Sequence, residues 1–224
     1  FLTPGKSIKI NHHKLLRRKG WMLAFHPDLL CHTSLGRHIG DYTFFFYKPE
    51  EALHLSLREK SKIMDCLHNV GDELEHSIDN HSKKLITKHI ELMLDYCTRF
   101  YERQFITRCE ANKLIIRQTS ILLDEYIQSE KLKKGILPSV EYCAGKLHLS
   151  THYFSDLLYF ETGQNIHEYF QFKRLEASKT MLLKQGYTAG TVAEKLGYPN
   201  VQQFSRIFKK ITGIAPSDYR VAQN

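Results

Sequence analysis

No stretch of this 224-residue sequence approaches the roughly 20 consecutive apolar residues that a membrane-spanning helix requires. A signal peptide, with its basic start and short apolar run, is also missing. Cysteine is sparse and dispersed. Cys31, Cys66, Cys97, Cys109 and Cys143 are odd in number and never form a C-x-x-C pair. That pattern argues against a disulfide framework or a zinc site and fits a reducing, cytoplasmic setting. The G-x-S-x-G, H-E-x-x-H and P-loop patterns do not occur, so no enzyme class is indicated and no cofactor is expected. The chain starts at Phe1, within a strand-like segment, and further residues are expected ahead of it.

Charge and length say more. Hydrophobic residues make up 42% of the chain, enough for a packed core, and 224 residues accommodate one large domain or two modest ones. The net charge of +8 makes an acidic partner plausible. Residues 1–112 carry 17 Lys/Arg against 14 Asp/Glu, or +3, and residues 113–224 carry 15 against 10, or +5. The excess leans mildly toward the C-terminus.

The first third reads as strands and loops. Ser7–Ile10 alternates polar and apolar, Trp21–Phe25 and Tyr42–Tyr47 are aromatic-rich, and Pro4, Gly5, Gly20, Pro27, Gly36, Gly40 and Pro49 punctuate them. A β-rich piece over 1–55 follows from this reading, with Trp21, Phe25, Phe44, Phe45 and Phe46 as core or as the lining of a ligand pocket. Two amphipathic helices are predicted next, over 57–105. Ile63, Leu67, Val70, Leu74 and Ile78 form one seam, and Ile86, Ile90, Met93 and Cys97 form the other, separated by Asp79-Asn80-His81. The seams either bury within the chain or pair with a second copy, since heptad-like spacing permits both. A homodimer through Ile63, Leu67, Val70, Leu74, Ile86, Ile90 and Met93 is the partner expectation here. Tyr101–Cys109 reads as a helix end plus linker, and Asn112 to about Lys131 as a further helix. The resulting organisation is α+β: an effector or dimerisation domain over 1–108 and an all-α domain over 109–224.

The C-terminal half contains a repeat. Phe154-Ser155 matches Phe204-Ser205, Leu157 matches Ile207, Leu158 matches Phe208, Thr162-Gly163 matches Thr212-Gly213, and Tyr169 matches Tyr219, all 50 apart. Upstream, Ala144 matches Ala193 and Leu147 matches Leu196 at 49 apart, so one residue is inserted in the turn Gly197-Tyr198-Pro199-Asn200. Each copy reads as helix, turn, helix, over 139–163 and 188–213, with a long helix over 166–185 between them. Ser139, Ser150 and Asn200 are placed to cap helix starts, and Gly163 and Gly213 to stop them.

In the second copy, turning Phe204, Ile207 and Phe208 inward leaves Gln202, Gln203 and Arg206 outside. Gln pairs bidentately with adenine and Arg with guanine in the major groove. The start of this helix aims free N–H groups at a phosphate, so the capping residues Ser150 and Asn200 are expected beside the backbone, with Lys209 and Lys210 as further phosphate contacts. The first copy would present His152, Tyr153, Ser155, Asp156 and Tyr159, with no Lys or Arg between Ser150 and Glu161. Asp156 repels phosphate but can accept a hydrogen bond from cytosine N4. This copy is expected to dock weakly, to read a narrow set of bases, or to serve as packing support.

The run Ala193-x-x-Leu196-Gly197-Tyr198-x-Asn200-x-x-x-Phe204-Ser205-Arg206-x-Phe208-Lys209-Lys210-x-x-Gly213-x-x-Pro216-Ser217-x-Tyr219-Arg220 resembles the C-terminal signature of AraC/XylS-family transcriptional regulators. The resemblance covers about half the chain, roughly Asn112–Arg220. It implies that two recognition helices enter successive major-groove segments of double-stranded DNA. Base contacts then fall on His152, Ser155 and Asp156 in the first copy and on Val201, Gln202, Gln203, Ser205 and Arg206 in the second. Asp156 stands where the family often has Arg, and Leu158 where it often has Phe. The resemblance also implies a cupin-like effector and dimerisation domain upstream, and admits RNA polymerase and a small-molecule effector as partners.

Two other function classes were weighed. A protein-interaction module would use the helix pair for binding and the C-terminal half as scaffold. A repair methyltransferase fused to this type of helix-turn-helix needs clustered cysteines around zinc, but the nearest pair, Cys97 and Cys109, lies twelve residues apart. His12-His13 lacks the His-x-His, Glu and distant His of a cupin metal site, so no metal is expected.

Overall fold

The computed structural model describes residues 1–6 and 20–222. Ser7–Ile10 and His12-His13 lie outside the described residues. The chain divides into two compact units, Phe1–Arg108 and Cys109–Asn224.

In the first unit the expected α+β, cupin-like architecture is overturned: no strand occurs among the described residues. Trp21–Phe25 has no regular structure, and Tyr42–Tyr47 folds around a 3-10 turn at Thr43–Phe46. Similar turns at Pro27–Leu30, Ile39–Asp41 and Pro49–Glu51 surround the short helix α1, Ser34–His38. The physical reason is that strand propensity mainly measures how well a side chain fits a half-buried surface, and here a helix supplies that surface. Phe44 stacks on Tyr101 at 5.4 Å between ring centres, and Tyr47 meets the same ring edge-on at 5.2 Å. The Tyr42 hydroxyl donates to Asp95 Oδ1 at 2.7 Å, and burial is the main cause that raises its pKa far above the ordinary phenol value.

Helices α2 (Leu57–Glu75) and α3 (Ser82–Thr107) supply that surface. Ser56 and Glu59 form a reciprocal capping box at the start of α2. Asp79 Oδ1 accepts the His81 and Ser82 N–H groups at 2.7 and 3.0 Å, closing the turn into α3. Cys66 and Val70 of α2 lie in one core with Ile86, Ile90, Met93, Leu94 and Cys97 of α3. Burial pushes the Cys97 thiol up to about 12, which makes it a core group rather than a nucleophile.

The segment expected as a linker belongs to α3. Gln104 is only 1% exposed; it accepts the His54 N–H at 2.8 Å and donates to the Ala52 carbonyl at 3.3 Å. Arg103 donates to Glu59 Oε1 and Oε2 at 2.9 and 2.8 Å and to the His54 carbonyl at 2.7 Å. Polar letters here mark side chains that pin the entry to α2.

The second unit is all-α: α4 (Cys109–Ile127), α5 (Glu130–Lys133), α6 (Val140–Lys146), α7 (Thr151–Thr162), α8 (Ile166–Leu183), α9 (Ala189–Lys195), α10 (Val201–Thr212) and α11 (Pro216–Ala222). Helix α4 ends before Lys131, which belongs to α5. Short helices such as α6 and α9 are unstable alone and depend on tertiary packing. One continuous core supplies it, with Leu123, Tyr126 and Leu132 meeting Cys143, Ala144, Phe154, Leu158, Phe170, Val192, Ala193, Leu196, Phe204 and Phe208. Each fully buried Phe contributes about 1.5–3 kcal/mol of transfer free energy. Among the described residues, no helix is long and apolar enough to cross a membrane.

Candidate nucleic-acid interface

The two helix–turn–helix copies have the same backbone wiring. Leu147 N–H donates to the Cys143 carbonyl at 3.1 Å, and Leu196 N–H to Val192 at 3.0 Å. His148 donates to Gly145 at 3.2 Å and Gly197 to Glu194 at 3.0 Å; Leu149 donates to Ala144 and Tyr198 to Ala193, both at 2.9 Å. These pairs are 49 apart, and the chain enters the left-handed region at His148 (φ 59°) and Gly197 (φ 67°) alike. Ser150 then caps α7 directly, whereas Pro199 intervenes before Asn200 caps α10. Pro199 is thus the inserted residue that takes the offset to 50.

Gly197 is required on two counts. Its φ favours glycine, and a Cβ there would sit 2.2 Å from the Leu132 carbonyl oxygen of α5.

The caps set where each second helix begins. Ser150 Oγ accepts the Tyr153 N–H at 3.2 Å, and Asn200 Oδ1 accepts the Gln203 N–H at 2.8 Å. Gly163 (φ 68°) and Gly213 (φ 81°) end α7 and α10 in the left-handed conformation. The first helices are capped by Ser139, which accepts from Tyr142, and by Thr188, which accepts from Thr191.

On α10, Phe204 and Phe208 are buried, Val201 and Ile207 are partly buried against the core, and Gln203 and Ser205 are half-buried. Gln202, Arg206, Lys209 and Lys210 are exposed. Spacings of four and three from Gln202 through Arg206 to Lys209 place these three side chains on one face. On α7 the equivalent face carries exposed His152, half-buried Ser155 and Asp156, and exposed Tyr159. Tyr153 does not belong to it: the ring expected outside is 5% exposed and lies inward. Helix α7 carries Asp156 and Glu161 with no Lys or Arg, whereas α10 carries Arg206, Lys209 and Lys210 with no Asp or Glu. Glu161 accepts a hydrogen bond from Asn112 Nδ2 at 3.0 Å, so that carboxylate also ties α7 to α4.

Of the side chains expected at a partner surface in the first unit, Val70, Ile86, Ile90 and Met93 are buried in the unit's own core, Ile63 and Leu67 are partly buried, and Leu74 is exposed. The aromatic residue Phe44 is core, and Trp21 and Phe46 are exposed. An open cleft nearby is bordered by His38, Asp41, Tyr42, Glu91, Asp95 and Thr98.

Sequence reasoning missed Arg174 of α8, which lies beneath the second turn. The signal was present: Phe170, Arg174, Ser178 and Leu182 recur every four residues, and all four are buried. A charged residue in the apolar phase of a helix marks a side chain that the core receives.

A family model described as a helix-turn-helix domain matches residues 143–222. Those residues form a helix-turn-helix domain. The domain resembles part of YobQ, an uncharacterised HTH-type transcriptional regulator of Bacillus subtilis, at 32% identity, covering 44% of this chain and 46% of that protein. YtdP of the same organism, likewise described as an uncharacterised HTH-type transcriptional regulator, is 35% identical over 37% of this chain and 11% of its own length. The xylose operon regulatory protein of Escherichia coli is 30% identical over 27% of this chain and 15% of its own. The chain therefore spans less than half the length of each of these relatives. Among solved structures, the C-terminal domain of AraT, a response regulator from Geobacillus stearothermophilus, matches 48% of this chain and 84% of that one at 29% identity, with a TM-score of 0.39.

Proposed function

We propose that this protein is a sequence-specific DNA-binding transcriptional regulator of the AraC/XylS type, in which α7 and α10 read successive major-groove segments of double-stranded DNA. The observation that carries the reading is the α10 face: Gln202, Arg206 and Lys209 aligned on one side of a helix whose other side is locked by Phe204 and Phe208. Gln202 and Arg206 address base edges, with Gln203, Ser205 and Val201 beside them; Lys209 and Lys210 neutralise phosphates, and the capped starts of α7 and α10 at Ser150 and Asn200 approach the backbone. His152, Ser155 and Asp156 are the base-facing residues of α7. The domain over 109–224 reads DNA, and 1–108 acts as the effector or dimerisation part. Exposed Leu74 and the cleft bordered by Asp41, Glu91 and Asp95 support self-association and effector binding by that part, and contact with RNA polymerase belongs to the same reading.

Selection of bound sequences from random duplex DNA tests this reading. Arg206→Ala is expected to cost about 1–3 kcal/mol on the selected site and to blur preference at one or two base pairs. An Arg206→Ala protein with unchanged affinity and preference would assign base reading to a different face. Affinity without any salt dependence would favour the scaffold role instead.

A further inference from the structure

Arg174 is 3% exposed and joins three elements through one planar group. Its Nη2 donates to the Leu196 carbonyl, the end of α9, at 2.6 Å, and its Nη1 to Gln171 Oε1 of α8 at 3.3 Å. The guanidinium carbon lies 3.8 Å from the centre of the Tyr198 ring. Nε has no hydrogen-bond partner. Burial lowers the guanidinium's pKa from its ordinary value, the direction in which desolvation acts on any cation.

A buried cation with an unpaired N–H is a poor way to fill a core, since apolar side chains of similar volume are often equally or more stabilising. What it supplies is direction. The fork fixes the carbonyl at the end of α9, and its flat face fixes the ring two residues later. Tyr198 passes this on: its ring lies 5.1 Å from Phe204, Phe204 lies 5.6 Å from Phe208, and Phe208 meets Tyr219 of α11 edge-on at 5.3 Å. The rotation of α10 about its axis follows from where Phe204 and Phe208 seat, and that rotation decides where Gln202 and Arg206 point. In the first copy, the residue equivalent to Tyr198 is Leu149, which has no ring to receive a guanidinium.

We propose that Arg174 is a positioning residue: it sets the orientation of the α10 reading face through the Leu196–Tyr198 turn, a device confined to the second copy. The proposal rests on the DNA-reading role of α10 given above.

The test compares the wild-type 224-residue protein with Arg174→Lys, which keeps the charge and loses the planar fork, and with Tyr198→Leu, which copies the first turn. Amide hydrogen exchange is measured without DNA, and bound sequences are then selected from random duplexes. The Tyr198 N–H, bonded to Ala193, should exchange about tenfold faster in both variants, with the Leu149 N–H, bonded to Ala144, unchanged. The selected sites should lose preference at the base pairs assigned to α10 and keep it at those assigned to α7. Equal acceleration at both amides in both variants would reduce Arg174 to general stabilisation and overturn the proposal, as would an Arg174→Lys protein indistinguishable from wild type. If exchange at Tyr198 accelerates alone while even the wild type selects no sequence, the positioning role stands and the DNA-reading role of α10 falls.

Discussion

The two helix–turn–helix copies share a backbone and differ in nearly everything they show to solvent. His152 stands where Gln202 does, Asp156 where Arg206 does, Tyr159 where Lys209 does, and Phe160 where Lys210 does. From α7 to α10 the formal charge changes from −2 (Asp156, Glu161) to +3 (Arg206, Lys209, Lys210). A duplicated unit that keeps its turn and its buried ring while reversing the charge of its outer face separates two tasks. The backbone and core make a helix-presenting scaffold, and the outer residues decide what that helix meets. Attraction to a polyanion is thus concentrated on α10, and α7 is left to contribute discrimination more than affinity.

The sharpest way to break this comparison is through the shared core. Phe154 and Phe204 are equivalent and both are essentially inaccessible to solvent. Phe154→Ala and Phe204→Ala should each cost about 3–5 kcal/mol in chemical denaturation, through lost burial and a residual cavity. Because both rings belong to one core cluster, each variant should destabilise both copies together. Denaturation in two steps, with one copy melting ahead of the other, would show that the copies are separate folding units.

Next in size is the turn. Gly197→Ala forces a Cβ to within 2.2 Å of the Leu132 carbonyl and places a side chain at φ 67°, so either α5 or the turn must move. A loss of about 3 kcal/mol in thermal or chemical denaturation is expected, from overpacking and left-handed strain combined. His148→Ala at the equivalent position of the first copy should cost far less, since that turn already holds a residue with a Cβ. Equal losses at the two positions would mean that the contact with α5 does not matter.

What could be read in the sequence follows the same division between local and distant causes. Helix caps act within three residues, so Ser139, Ser150 and Asn200 were visible as starts, and the left-handed glycines at 163 and 213 as stops. The repeat was visible because equal core positions demand equal residue types. The first third was not legible, because the aromatic runs around Phe44 owe their conformation to Tyr101 and Asp95, some fifty residues away. Tyr153 was misplaced because its apolar ring and polar tip suit either face, and Gln104 and Arg174 were missed because their partners are carbonyls that no sequence pattern displays.

A smaller effect concerns charge alone. Tyr159 is 65% exposed, so a lysine fits there without disturbing the core. Tyr159→Lys gives α7 the cation that Lys209 gives α10, and should steepen the log–log dependence of DNA affinity on salt by about one unit. Lys209→Ala should flatten it by about the same amount. If Tyr159→Lys leaves the slope unchanged, α7 does not approach a phosphate and its role is packing support.

The smallest effect isolates the turn of the first copy. His148 adopts the left-handed conformation with φ 59°, which costs an L-residue about 1–2 kcal/mol relative to its ordinary backbone. His148→Gly removes that strain but enlarges the conformational freedom of the unfolded chain, worth about 0.4–1 kcal/mol in the opposite direction. A net gain of about 0.5 kcal/mol in chemical denaturation is therefore expected. The sign carries the information. A gain means that the backbone of the first turn needs no help from its side chain, so the two turns differ only in how the second is anchored by Leu132 and Arg174. A loss means that the His148 side chain holds its own turn, and each copy then has a separate means of aiming its second helix.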